Sequence, residues 1–293
     1  MTTAPVPSVR PPTAGAPVLP FLKVEGLGND FLLIDLLRPT DGPRAPVQPL
    51  PAASPEPHAL ARWIAELQRR APALCDRRTG VGGDGLLLVT PPRSPGSVGA
   101  MVVINHDGSR PEMCGNGLRC VALYLAQDTA IDVDTDAGPR LCRVDGDQVE
   151  VDMGPALALG HRDVAGRRFA TYSLGNPHAV AFVAAHEDPE QLARTLGPLV
   201  ERDPQFPART NVEFARREPD GSLTLWVWER GCGITAACGT GACATLAAAV
   251  AEGLAPAELP VRVQLPGGPL TIRCAADRVW MTGPARFVFR GEL

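Results

Sequence analysis

The chain has 293 residues, of which 45% are hydrophobic and 20% charged, and its formal net charge is −4, the profile of a soluble globular protein with one large or two ordinary domains. It has no lysine or arginine cluster that would indicate a nucleic-acid partner or an anionic membrane surface. No segment approaches the roughly 18 apolar residues of a membrane span, and no basic region precedes an apolar core at the start, so we expect no membrane segment, no signal peptide and a cytoplasmic location.

Two Pro-rich stretches interrupt the first part of the chain. Residues 1–20 lack hydrophobic periodicity and are predicted to form a disordered extension, and residues 39–57 are predicted to form a surface insertion. Strands are predicted at 21–24 and 31–35. A helix is predicted from about Pro57, because four apolar residues share one helical face, at Leu60, Trp63, Ile64 and Leu67.

Each half of the chain contains a cysteine that opens a Cys-Gly-polar-Gly run at the start of a predicted helix. The two cysteines are Cys114 and Cys238. A polar residue at the end of a predicted strand, Asn105 or Glu229, precedes each cysteine by the same distance (114 − 105 = 238 − 229 = 9). The shared offset (238 − 114 = 229 − 105 = 124) indicates a duplicated unit.

The repeat predicts an α+β fold of two pseudo-symmetric lobes. Each lobe is expected to be a curved, barrel-like sheet of mixed or antiparallel strands around a central helix, at 114–126 in the first and 238–251 in the second. The second helix is rich in alanine, so a sheet can enclose it on every side. Domain boundaries are predicted at 21–136 and 137–277, with the functional site in the cleft between the lobes.

A cysteine at a helix start has a chemical consequence. The helix N-terminus carries unpaired N–H groups and a partial positive charge, so the pKa of a thiol there is expected to fall and the same N–H groups can hold a carboxylate. Glycines allow a ligand to approach the backbone, at Gly115, Gly117, Gly239 and Gly241. Two thiols on opposite sides of one carbon are the acid and base that a racemase or epimerase needs.

Other polar residues are assigned to support this pair. His178 and Glu229 are predicted to set the protonation of the thiols. Neutral amides and one arginine are predicted to bind the ammonium and carboxylate ends of an amino acid, at Asn29, Asn105, Asn176, Asn211 and Arg230. Arg119 is interpreted as structural, in a salt bridge. The other six cysteines are interpreted as small packing residues, namely Cys75, Cys120, Cys142, Cys232, Cys243 and Cys274.

Neither a metal nor an organic cofactor is predicted. The chain contains no Cys-x-x-Cys and no His-x-x-x-His, so a structural zinc site has weak support. The run at 80–85 matches G-x-G-x-x-G, but a strand follows it where a dinucleotide site needs a helix.

Together, these motifs resemble the diaminopimelate epimerase family. The likeness is carried by Met113-Cys114-Gly115-Asn116-Gly117 and by other runs in the family's order, at 26–31, 76–77, 80–82, 105–109, 175–178, 211–214, 229–231, 237–241 and 265–268. The resemblance implies cofactor-independent interconversion of LL- and meso-2,6-diaminopimelate, for lysine and peptidoglycan synthesis. It also implies a homodimer, and a last strand, at about 278–293, that returns to complete the first lobe.

The resemblance assigns roles to individual residues. Cys114 and Cys238 would be the base and acid, supported by His178 and Glu229. The substrate-contacting positions would be Asn29, Asn105, Asn176, Asn211, Glu229 and Arg230. The backbone at Gly115, Asn116, Gly239 and Thr240 would hold the reacting carboxylate.

Three residues depart from the family pattern. Ile234 replaces a usual Glu near Cys238, which bears on rate or loop order. Gly85 stands where some members have a substrate-binding Gln. His106 replaces a usually small residue beside Asn105 and is expected to narrow the pocket.

Two other functions fit parts of the pattern. One is a proline racemase or hydroxyproline epimerase, although those enzymes commonly have His where this chain has Asn116, and they lack the Glu229-Arg230-Gly231 run. The other is a thiol–disulfide switch in which Cys114 and Cys238 form a regulatory bond.

Overall fold

The computed structural model describes residues 19–37, 57–126 and 130–293, and the structural statements below concern these residues. Most of the predicted extension (1–20) and insertion (39–57) lies outside them, so both interpretations stay predictions. At the edge of the extension, Leu19 hydrogen-bonds Leu293 through the backbone. None of the described helices is long and apolar enough to cross a bilayer.

The described residues form 17 strands in one continuous, curved sheet. The strands of the first half and the last strand are β1 (Pro20–Gly26), β2 (Asn29–Asp35), β3 (Gly85–Thr90), β4 (Ser97–Asn105), β5 (Ala130–Thr135), β6 (Gly138–Asp145), β7 (Gln148–Gly154) and β17 (Arg286–Glu292). Those of the second half are β8 (Leu157–Val164), β9 (Arg167–Ser173), β10 (Pro177–Phe182), β11 (Asn211–Arg217), β12 (Leu223–Glu229), β13 (Gly233–Ile234), β14 (Val261–Leu265), β15 (Gly268–Ala275) and β16 (Arg278–Pro284).

Strand pairing repeats almost perfectly between the halves. The spatial order in the first half is β17-β1-β2-β3-β4-β5-β6-β7, with parallel pairs at β2–β3 and β4–β5. In the second half it is β8-β9-β10-β11-β12-β14-β15-β16, with parallel pairs at β10–β11 and β12–β14. Each strand therefore has a counterpart of the same orientation, and only the short β13 stands apart from the repeat, paired to β12.

Two cross-connections join the halves. β16 pairs with β7, so the sheet passes from one half into the other without a break. β17 pairs with β1 and occupies the position that β8 occupies beside β9. The domain boundaries at 136 and 277 stay a prediction, and the strand correspondence favours a division near residue 155 instead.

Four helices pack on this sheet: α1 (Pro57–Cys75), α2 (Gly115–Leu125), α3 (Pro189–Glu201) and α4 (Gly239–Ala251). α2 is enclosed by the first-half strands and α4 by the second-half strands, and their side chains form one shared core. α1 and α3 cover the outer faces of the two halves with separate apolar clusters. The predicted α+β fold of two pseudo-symmetric lobes around central helices is confirmed.

Candidate active site

A cavity of about 550 Å³ lies where the two halves meet. Both cysteines line it, and so do the predicted binding residues, namely Asn29, Asn105, Gly115, Asn116, Asn176, Asn211, Glu229, Arg230, Gly239 and Thr240. His178 does not reach the cavity, because its side chain is fully buried behind it. The structure therefore brings together residues that are far apart in sequence.

Cys114 is the N-cap residue of α2, as predicted. The Gly117 N–H donates to its Sγ at 3.4 Å, and the Sγ lies 4.0 Å from Asn29 Oδ1. Asn116 Nδ2 donates to Asn29 Oδ1 at 3.2 Å and to Ala237 O at 3.0 Å. Asn116 thus ties the first cysteine loop to the residue that precedes Cys238.

Cys238 is the N-cap residue of α4, the equivalent position in the second half. Its Sγ lies 3.7 Å from Thr240 Oγ1, which accepts a hydrogen bond of 3.2 Å from Asn176 Nδ2. The Glu229 carboxylate accepts a hydrogen bond from the Thr235 hydroxyl, and its negative charge raises the pKa of the Cys238 thiol. The side-chain contact of Cys114 is with the amide oxygen of Asn29.

The expected fall in the pKa of the two thiols is wrong. Burial raises the pKa of Cys114. The Gly117 N–H and Arg119 lower this pKa, but by less than burial raises it. Burial raises the pKa of Cys238 well above its ordinary value, and the negative charges of Glu229 and Glu213 add to the effect. Burial likewise raises the pKa of the Glu229 carboxyl. Desolvation disfavours the charged forms more than the helix starts favour them.

Behind the cavity, His178 forms a buried pair with Glu213, a residue to which the sequence analysis assigned no role. His178 Nδ1 lies 2.7 Å from Glu213 Oε1, and His178 Nε2 lies 2.9 Å from Asn176 Oδ1. Each ring nitrogen therefore has a polar partner, a carboxylate oxygen at Nδ1 and an amide oxygen at Nε2. A chain of contacts runs from His178 through Asn176 and Thr240 to Cys238.

Only the structure shows the role of Glu213. It lies inside strand β11, and its side chain is fully buried. A carboxylate in a buried strand requires a partner, because an unpaired charge there carries a large desolvation cost. Glu213 Oε2 also accepts the Ala179 N–H at 3.1 Å, so both of its oxygens have donors.

Asp84 lines the cavity and is a second residue for which no role was predicted. Its Oδ2 accepts from Asn29 Nδ2 at 2.6 Å, and its Oδ1 accepts from Arg77 Nη2 at 2.9 Å. These bonds orient the Asn29 amide so that its oxygen faces Asn116 and Cys114. Asp84 therefore positions a cavity amide as well as lining the cavity.

Several predicted binding residues use their polar atoms to hold loops. Asn211 Nδ2 donates to Pro177 O at 2.9 Å, and Asn211 Oδ1 accepts the Arg230 N–H at 2.9 Å. Asn105 Nδ2 donates to Ser109 Oγ at 2.9 Å. Both asparagines line the cavity while fixing its walls. Their assignment as substrate contacts stays a prediction.

The three departures from the family pattern have different surroundings. Ile234 and His106 both line the cavity, so both affect its shape. A β-carbon on Gly85 would lie 2.4 Å from Ile104 O, so a longer side chain does not fit there without a backbone shift. Among the described residues, no group of three or more His, Cys, Asp or Glu side chains has the arrangement of a metal site.

The fold, with a cysteine at a helix start in each half, is similar to that of a known epimerase. A hydroxyproline epimerase from Agrobacterium vitis, solved with bound trans-4-hydroxy-L-proline, superposes with a TM-score of 0.65 over 95% of this chain and 91% of that one, at 18% identity. This likeness concerns the fold alone.

Sequence comparison identifies the family. The family model of diaminopimelate epimerase matches residues 61–159 and 170–288. A diaminopimelate epimerase from Desulfitobacterium hafniense is 42% identical over 93% of this chain and 97% of its own length, and one from a Synechococcus strain is 43% identical over 93% and 97%. The chain belongs to the diaminopimelate epimerase family, and it is an isomerase of the amino-acid epimerase type.

Proposed function

We propose that this protein interconverts LL- and meso-2,6-diaminopimelate by a two-thiol mechanism without a cofactor. The observation that carries the proposal is the presence of Cys114 and Cys238, at equivalent helix starts, in the wall of one cavity. The identity of about 40% to diaminopimelate epimerases over nearly the whole chain supports the substrate.

The proposed reaction breaks the α-carbon–hydrogen bond on one face and forms a new one on the other. A thiolate takes the α-proton and becomes a thiol, leaving a carbanion conjugated with the α-carboxylate. The opposite thiol then donates its proton to the carbon and becomes a thiolate. The N–H groups at the starts of α2 and α4 hold the carboxylate. The positive ends of both helices thereby stabilise the charge that develops on it.

The surroundings of the two thiols support a division of labour at rest. Glu229 raises the pKa of both thiols, but Glu213 adds to this effect only at Cys238, whereas Arg119 lowers the pKa of Cys114. We propose that Cys114 is the resting base and Cys238 the resting acid.

Deuterium incorporation tests this function. Reduced protein incubated with LL-diaminopimelate in D₂O should yield meso product that carries deuterium at one α-carbon, measured by NMR and mass spectrometry. Proline and hydroxyproline are the matched alternative substrates. Exchange into either of these, with none into diaminopimelate, would replace the proposal by a proline racemase-type activity.

We also propose a cytoplasmic homodimer that serves lysine and peptidoglycan synthesis. Support for the dimer comes from β17, which pairs only with β1 among the described strands and exposes Phe287, Val288 and Phe289. An apolar strand with a free edge is a surface suited to another chain. Sedimentation analysis of the wild type and of Phe287→Lys tests this, with a shift to monomer expected in the variant.

A further inference from the structure

The starts of α2 and α4 pack on one thioether. A β-carbon built on Gly115 would lie 2.9 Å from Met281 Cε, and one on Gly239 would lie 2.8 Å from Met281 Sδ. Real contacts to a β-carbon are essentially never that short, so Met281 fills the space directly beside both glycines. Met281 is completely buried on β16, the strand that joins the halves.

Arg119 holds the sulfur of Met281. Its Nη1 lies 3.6 Å from Met281 Sδ, and its Nε donates to Pro284 O at 3.1 Å. The side chain is fully buried, and its Nη2 has no hydrogen-bond partner among the described residues. The interpretation of Arg119 as a salt-bridge residue is wrong, since its bonds go to a carbonyl and a thioether.

The backbone around Arg119 leaves room for the guanidinium. A β-carbon on Gly26 would lie 3.0 Å from Arg119 Nη2, and one on Gly283 would lie 3.3 Å from Arg119 Cζ. An arginine buried without a carboxylate carries a large desolvation cost. The contribution of Arg119 to the fold is therefore the position in which it holds the Met281 side chain.

We propose that Met281, held in place by Arg119, is a positioning residue that sets the separation of the two cysteine-bearing helix starts. It touches both Gly115 and Gly239, so a change in its volume moves α2 relative to α4. The unbranched thioether is narrow enough to lie between two backbones and long enough to reach both. The catalytic consequence of this spacing rests on the proposed two-thiol function, whereas the spacing itself does not.

Steady-state kinetics test the catalytic consequence. Met281→Ala should lower kcat for diaminopimelate on the order of 100-fold, because an ångström-scale misplacement of reacting groups has effects of that size. KM should change much less, since Met281 does not line the cavity. Met281→Leu, which keeps the volume but not the sulfur, should restore most of kcat.

Met101→Ala is the matched control. Met101 is as buried as Met281 but lies in β4, and the side-chain atoms nearest the β-carbon positions of Gly115 and Gly239 come from Met281, Met153 and Asn116. Its kcat should stay within a few-fold of wild type at a similar loss of thermal stability. Equal falls in kcat for Met101→Ala and Met281→Ala would show that Met281 acts through stability alone, which overturns the proposal.

Disulfide formation tests the spacing without substrate. The test uses a Cys232→Ser background, which removes the exposed third thiol of the cavity. The equilibrium constant for formation of the Cys114–Cys238 disulfide is measured in glutathione buffers by peptide mass spectrometry. Disulfides tolerate only a narrow range of Cα separations, so Met281→Ala should change the constant at least about tenfold and Met101→Ala should not. If Met281→Ala changes the constant but the wild-type protein has no epimerase activity, the proposed role of Met281 is supported and the proposed function is not. An unchanged constant in Met281→Ala would contradict the proposed role of Met281.

Discussion

The two cysteine sites share a backbone and differ in electrostatics. Each cysteine is the N-cap residue of a central helix, after a strand that ends in a polar residue nine positions earlier (114 − 105 = 238 − 229 = 9). Cys114 Sγ contacts the Asn29 amide oxygen and the Gly117 N–H, and Glu229 is the carboxylate that raises its pKa. Besides burial, the Glu229 carboxylate and the buried Glu213 both raise the pKa of Cys238.

This difference shows how a duplicated scaffold can carry an asymmetric pair of groups. A two-base epimerisation needs one thiolate and one thiol at the same time. Two thiols in identical surroundings would have the same pKa, so neither would be favoured as the thiolate. Carboxylates beside one thiol raise its pKa further than burial alone does. The repeat supplies equivalent geometry, and in the proposed mechanism a difference such as Asn105 against Glu229 separates the roles of the two thiols.

The largest expected effect comes from removing either thiol. Cys114→Ala and Cys238→Ala should each lower epimerisation at least about 100-fold, since each loses a general acid or base. Each variant should still exchange the α-proton of the isomer whose hydrogen faces the remaining thiol. NMR of LL- and meso-diaminopimelate in D₂O measures this, and full epimerase activity in either variant contradicts the two-thiol mechanism.

A smaller effect is expected when the charge beside Cys238 is removed. Glu229→Gln takes away a negative charge that disfavours the thiolate, so the pKa of Cys238 should fall and its alkylation by iodoacetamide at pH 8 should accelerate. Epimerase activity should fall about 10- to 100-fold. Peptide mass spectrometry follows both thiols separately. Glu218→Gln, at a partly buried glutamate that does not line the cavity, is the control. A slower alkylation of Cys238 in Glu229→Gln would contradict the direction assigned to the effect of Glu229 on the pKa of Cys238.

The smallest effect is expected at two equivalent glycines, Gly117 and Gly241, near the starts of the central helices. A β-carbon on Gly241 would lie 2.9 Å from Glu213 Oε1 and 3.1 Å from Cys238 Sγ, whereas one on the equivalent Gly117 would meet Leu87 Cδ2 at 2.6 Å. Gly241→Ala should therefore lower kcat several-fold with a small change in Tm. Gly117→Ala should lower Tm by several degrees with less change in kcat, since overpacking costs about 1–3 kcal/mol. Calorimetry and kinetics on both variants test this, and the opposite order of effects would refute it.

Much of this architecture could be predicted because duplication leaves a periodic trace. Two Cys-Gly-x-Gly runs at one offset identified both helix starts, and the structure places Cys114 and Cys238 at the predicted N-caps. The apolar face of α1 was visible as a helical period, and its residues pack on the outer face of the sheet.

What escaped prediction depends on burial and pairing, which local sequence does not specify. Glutamate is common on protein surfaces, so its residue type does not predict that Glu213 is buried. Only the pairing of β10 with β11 brings it to His178. The direction of the thiol pKa shifts depended on enclosure by both halves, so the helix start alone suggested the wrong sign. The bonding of Arg119 depended on β16, which is far away in sequence.

The return of β17 to β1 has a consequence for synthesis on the ribosome. Residues 20–26 emerge early, but their edge partner at 286–292 is translated at the end of the described chain. The first half therefore carries an unpaired apolar edge throughout translation, when nascent chains are prone to associate. Because β16 also joins the halves, the cavity can close only after nearly all of the chain has left the exit tunnel. Nascent chains of this enzyme should therefore depend on chaperones more than their length suggests.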